Sequence, residues 1–168
     1  NAKGKLTGKI MQKVLSLNTQ GNGFDAVVSS VMENEKGKEM HKGEYAFSCK
    51  DGIVYIDMRN YIPQEQMEAL GNYEMKMEAE NLEFPNSLSV GSQLKDGSIM
   101  LTAEGSAIPI KMNCVISDRK VVAKETLSTA MGDLECYKIT SKSTIKNQMG
   151  INMTFTFNSV EWIAPKYG

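Results

Sequence analysis

Apolar and polar positions alternate along most of this chain. In one run Ile151, Met153, Phe155 and Phe157 take every second position, with Asn152, Thr154 and Thr156 between them. Successive strand side chains point to opposite faces, so such a run is a half-buried strand. The alternation, broken by short turns, predicts strands over 5–17, 24–33, 38–50, 53–60, 73–79, 99–103, 108–116, 120–127, 134–144 and 150–163. Lys50-Asp51-Gly52 and Asn34-Glu35-Lys36-Gly37 carry turn chemistry, since glycine tolerates positive φ. Ser117-Asp118-Arg119 reads as a further turn. The last strand changes parity: Ile151 to Phe157 are odd, whereas Val160 and Trp162 are even. One extra residue near Asn158-Ser159, a β-bulge, would put them on one face.

One helix interrupts the strands, over residues 63–70. Pro63 suits a first helical position, and Gly71 can supply the left-handed cap. Met67 and Leu70 form its apolar edge, and two turns are too few to stand without docking on the sheet. The fold expected is all-β, a mainly antiparallel meander of about ten strands, longer than the usual ~5–6 residues and curling into a curved sheet or half-barrel. The 63–70 helix lies over its open side. A closed lipocalin-like barrel is the alternative. One domain spans 1–168 and is expected to lack a strand at each end, because 1–5 and 165–168 read as half-turns.

Composition removes several functions. The chain has 168 residues, enough for one domain burying roughly 70 % of its unfolded surface. With 19 basic and 20 acidic residues interspersed, the net charge is −1, and no basic stripe offers a phosphate track. No apolar run approaches the ~20 residues of a membrane helix. Cys49, Cys114 and Cys136 cannot all pair. On the predicted turns, Cys114 faces roughly residue 124 and Cys136 roughly residue 126. Two strands then separate the thiols by about 10 Å, beyond the ~7 Å Cα limit for a disulfide. Free thiols in the core are expected.

Catalytic chemistry has little to rest on. His41, the sole histidine, has no Ser or Cys motif around it and a cation, Lys42, beside it. Glu33 with Glu35, and Glu78 with Glu80, share faces as solvated carboxylates do. No metal or cofactor is expected. The twelve methionines, among them Met75 with Met77 and Met149 with Met153 on common faces, suit adaptable core filling or a soft cavity for an apolar ligand.

Three stretches resemble a known family: 82–85 with 90–97 (Leu82-Glu83-Phe84-Pro85, then Val90-Gly91-Ser92-Gln93), 125–139 (Glu125-Thr126-Leu127 through Tyr137-Lys138-Ile139), and 160–168 from Val160-Glu161-Trp162. They are similar to the TapB-like secreted or envelope proteins of Gram-negative bacteria, a group of unknown function. The resemblance implies a half-barrel like that of the lipoprotein carriers LolA and LolB, and a periplasmic or secreted location. It brings no catalytic residue. The expected function is therefore non-enzymatic: a lipid or other apolar small molecule held on the concave face, lined by Met67, Leu70, Met112, Tyr137, Ile139, Met153, Phe155 and Phe157. Parity fixes which strand residues share a face, not which face is concave. The alternative is a structural or interaction module whose exposed sheet edges bind an envelope protein partner.

Overall fold

The computed structural model describes residues 8–62, 67, 70–71, 73–105, 110–129 and 132–164. Ten antiparallel strands form two five-stranded sheets. The first has the order β1 (Gly8–Gln20), β2 (Gly23–Asn34), β3 (Glu39–Lys50), β4 (Ile53–Ile56) and β6 (Leu82–Pro85). The second has the order β10 (Ile151–Ile163), β9 (Gly132–Met149), β8 (Ile110–Thr129), β7 (Gly97–Glu104) and β5 (Glu74–Glu80). Only Asn81 separates β5 from β6, so the chain passes there from the edge of one sheet to the edge of the other. The opposite edges, β1 and β10, leave the curved sheet unclosed. The half-barrel predicted from alternation is the fold observed.

Local chemistry sets the hairpins. Asn34 Oδ1 accepts hydrogen bonds from the Lys36 and Lys38 amides at 2.9 and 3.1 Å, closing the β2–β3 turn. Asp51 and Gly52 have φ of 52° and 75°, the pair of left-handed residues a tight hairpin needs. Residues 53–60 depart from the expected strand: β4 stops at Ile56 and Met58–Tyr61 form a 3-10 helix. Asp57 caps it, its Oδ1 accepting from the Arg59 amide at 2.9 Å. Leu82–Pro85, outside the strands predicted from alternation, form the edge strand β6.

One expected turn and one expected bulge are corrected. Ser117-Asp118-Arg119 does not reverse the chain; β8 runs through it as one strand of 20 residues. Ser117 pairs with Lys142 and Lys120 with Thr140, so Asp118 and Arg119 together oppose Ser141 as a bulge. Asp118 takes the positive φ of 54° that bends the strand without folding it back. Cys114 therefore faces Ile145 and Cys136 faces Glu125, and all three cysteines are free. Conversely, the bulge expected at Asn158-Ser159 is absent: β10 keeps one register against β9 from Ile151 to Ile163. Val160 and Trp162 thus point outward. Trp162 is accommodated there because its Nε1 donates to Glu125 and Lys138 Nζ lies 5.2 Å from the ring centre.

The core fills the corner where the sheets meet, built on Met58, Leu82, Phe84, Ile99, Leu101 and Ile139. Of the expected 63–70 helix, residues 63–66, 68 and 69 lie outside those described. Leu70 belongs to the core and Met67 packs partly against it. Leu70→Ala should accordingly cost about 2 kcal/mol, the lower end for a buried leucine because some surface remains accessible. Urea denaturation measures this. An unchanged midpoint with increased uptake of a fluorescent fatty acid would instead make the segment a lid.

Candidate functional site

The inner face of the second sheet can be read row by row across β7, β8, β9 and β10. Leu101, Met112, Asn147 and Met153 align in one row, and Ile99, Cys114, Ile145 and Phe155 in the next. Gly97, Ile116, Ser143 and Phe157 follow. Beyond the bulge come Ser141 with Ser159, then Val121, Ile139 and Glu161, and finally Tyr137 with Ile163. The six strand residues singled out from parity therefore share one face, and it is the face carrying the core. Their environments differ. Ile139 is fully buried, Met112 and Tyr137 are partly buried against the core, and Met153, Phe155 and Phe157 are exposed, Phe155 at 52 %.

This gradient follows from sheet position. Ile99 and Leu101 of β7 and Cys114, Ile116 and Val121 of β8 share a buried cluster with Leu82 and Phe84 of the first sheet, whereas among the described residues β10 is an edge with no strand beyond it. Ile151, Met153, Phe155 and Phe157 therefore form an apolar rail along the inner face of an open edge. At ~3.4 Å per residue it is about 20 Å long. In the first sheet, β1 exposes Ile10, Val14 and Leu17, whose partners Met32, Val28 and Ala26 place them on the inner face too.

A cleft of about 640 Å³ opens on the first sheet, with His41, Gly43 and Tyr45 of β3 on one wall and Asn60, Ile62 and Met67 on another. His41 Nε2 lies 3.1 Å from the Tyr45 hydroxyl, and glycine at 43 keeps the space between them open. Among the described residues no group of three or more His, Cys, Asp and Glu could hold a metal ion.

Between the rail and the core lies a polar band that alternation did not reveal. Arg119, in the β8 bulge, is 1 % exposed. Its Nη1 donates to the Lys95 and Glu83 carbonyls at 2.5 and 3.2 Å, and its guanidinium carbon sits 4.3 Å from the Phe84 ring centre. Among the described residues its Nε and Nη2 have no hydrogen-bond partner. The backbone around it is pinned as well: Leu94 N donates to Arg119 O at 2.9 Å and Val121 N to Ser92 O at 3.0 Å. Glu161 and Tyr61 are within its electrostatic reach. Burial pushes the Tyr61 phenol up to about 12, with Glu161 as the next cause. Tyr61 nevertheless keeps 47 % of its surface accessible.

Burial also raises the Glu161 carboxyl above its ordinary range, and the Arg119 charge only partly opposes this. The folded state then holds that proton more tightly than the unfolded chain. Stability should fall as pH rises from the ordinary carboxylate range to the raised value, and stay at the lower level above it. Glu161→Gln should flatten that slope in urea midpoints taken between about pH 4 and 7. Asp57 shifts the other way, held down chiefly by its hydrogen bond with Arg59, and is retained in the Glu161→Gln variant.

A family model described as DUF3108-like matches residues 1–168. No curated protein matches the chain. Two solved structures share the fold. One is a protein inferred to be exported, with a YmcC-like fold, from Bacteroides fragilis: TM-score 0.68, 23 % identity, covering 99 % of this chain and 80 % of that one. The other, inferred to be a lipoprotein, is from Parabacteroides distasonis: TM-score 0.68, 19 % identity, covering 99 % and 79 %.

Proposed function

The chain belongs to the DUF3108-like family, and from that premise we propose that it is a non-enzymatic cell-envelope protein holding a lipid or other apolar ligand against its inner face. The observation that carries this reading is the rail on β10. Ile151, Met153, Phe155 and Phe157 occupy the face that is core elsewhere on the sheet, yet they are left exposed. A contiguous apolar surface beside a packed core marks a binding surface more often than a solvated one. The related structures described as exported protein and lipoprotein support an envelope location, periplasmic or secreted. The unclosed sheet supports the comparison with TapB-like proteins and with the LolA and LolB carriers at the level of architecture.

Phe155→Ser with Phe157→Ser should reduce binding of a fluorescent fatty acid at least severalfold while changing the thermal midpoint little, because both rings are half exposed. Fluorescence titration beside a thermal melt checks it. Native mass spectrometry of protein purified from its host tests for a retained lipid. A second reading rests on the free edges β1 and β10, each of 13 residues, whose outer backbone groups can accept a strand from an envelope protein. Light scattering and pull-down separate the two, since a lipid-loaded monomer supports the first and a stoichiometric protein complex the second.

A further inference from the structure

The polar band and the apolar rail are continuous. Ser159 and Phe157 are neighbours on the inward face of β10, Ser141 pairs with Ser159, and Ser141 stands opposite the bulge that carries Arg119. Three neighbouring strands thus place Arg119, Ser141 and Ser159 at adjacent register positions beside the foot of a rail about 20 Å long, the Arg119 guanidinium itself lying against Phe84 and the Glu83 and Lys95 carbonyls. Ser141 is buried and Ser159 partly buried. Arg119 has spent one nitrogen on two carbonyls and keeps two unpartnered among the described residues; Glu161 is within its electrostatic reach, but no described carboxylate lies at ion-pair distance from it. A buried cation with free donors is complementary to an anion, because charge-assisted hydrogen bonds are the strong ones.

We propose that Arg119, with Ser141 and Ser159, is the docking point for the anionic head of an amphiphile whose tail lies along Phe157, Phe155, Met153 and Ile151. The proposal deepens the apolar-ligand reading and rests on it. The chemistry is that of a carboxylate or phosphate on an alkyl chain. Arg119 is closed off in this structure, so the head reaches it by displacing a covering group. The polar band also gives the site a direction, head inward at β8 and tail outward along the open edge.

Isothermal titration of the whole chain with decanoate, decyl phosphate, decanol and inorganic phosphate tests this. Decanoate and decyl phosphate should bind about tenfold tighter than decanol, the lower end of what a charged hydrogen bond adds. Arg119→Met should erase the difference while leaving decanol binding in place. Should Arg119→Met not fold, Ser159→Asp decides, because Ser159 is on an edge strand and an added carboxylate there repels the head without touching the rail. Equal affinity for decanol and decanoate overturns the anionic docking point and leaves the apolar site standing. Binding of none of the alkyl probes overturns both. Inorganic phosphate binding as tightly as decyl phosphate overturns the amphiphile, and an undiminished decanoate preference in Ser159→Asp overturns the placement of the head.

Discussion

Arg119→Ala is expected to destabilise the protein by about 3–5 kcal/mol, the cost of truncating a large buried side chain and leaving its hydrogen-bond acceptors unsatisfied. The side chain ties three parts of the fold together. It reaches from the β8 bulge to the Glu83 carbonyl of β6 and the Lys95 carbonyl of the loop before β7, and it covers the Phe84 ring. Alanine leaves two carbonyls without their donor and Glu161 without its nearby cation. It also opens a cavity next to Phe84, itself buried. Arg119→Met is expected to cost less, about 1–2 kcal/mol, because both variants lose the same donors but methionine refills the volume that alanine leaves empty. Urea denaturation of both variants gives the comparison. Equal losses would mean that the hydrogen bonds to Glu83 and Lys95 dominate and the cavity does not matter.

The expectations from sequence succeeded where one physical rule acted alone. Alternation placed Met112, Tyr137, Ile139, Met153, Phe155 and Phe157 on a single face because strand parity is indifferent to what the face meets. It could not say that Ile139 is sealed while Phe155 is open, since that depends on strand order, and order depends on pairings distant in sequence. The errors cluster at the polar band. Ser117-Asp118-Arg119 has the composition of a turn, and Asp118 does adopt the left-handed conformation, but β9 pairs on both sides and turns the same residues into a bulge. In β10, apolarity predicts a bulge that brings Val160 and Trp162 onto the face of Ile151 to Phe157. The unbroken register puts Glu161 there instead, beside Arg119. A charged residue flanked by two apolar ones, in phase with the inward positions Ile151 to Phe157, was the available signal. Its meaning appears only with a cation located across the sheet.

Gly97→Val is expected to cost about 3 kcal/mol, the upper part of the range for overpacking a filled core. Gly97 opens β7 on the inner face, opposite Ile116, where β6 of the other sheet comes closest. A Cβ there would lie 2.6 Å from Leu82 Cδ2, 2.9 Å from Leu82 Cγ and 3.1 Å from Met58 Sδ. Leu82 and Met58 are both buried in the same cluster, so neither has free space to move into. Glycine is required by proximity here, not by backbone conformation, and alanine should already cost about 1–2 kcal/mol. The two explanations separate in a double mutant. Leu82→Ala alone should be destabilising as a core truncation, but Leu82→Ala in the Gly97→Ala background should cost about 1 kcal/mol less, because the added methyl then fills part of the vacated space. Additive losses, read from urea midpoints of the three variants, would place the strain in the β7 backbone instead. The corner at Asn81 would then owe its geometry to the strand itself, not to the packing of Leu82 against it.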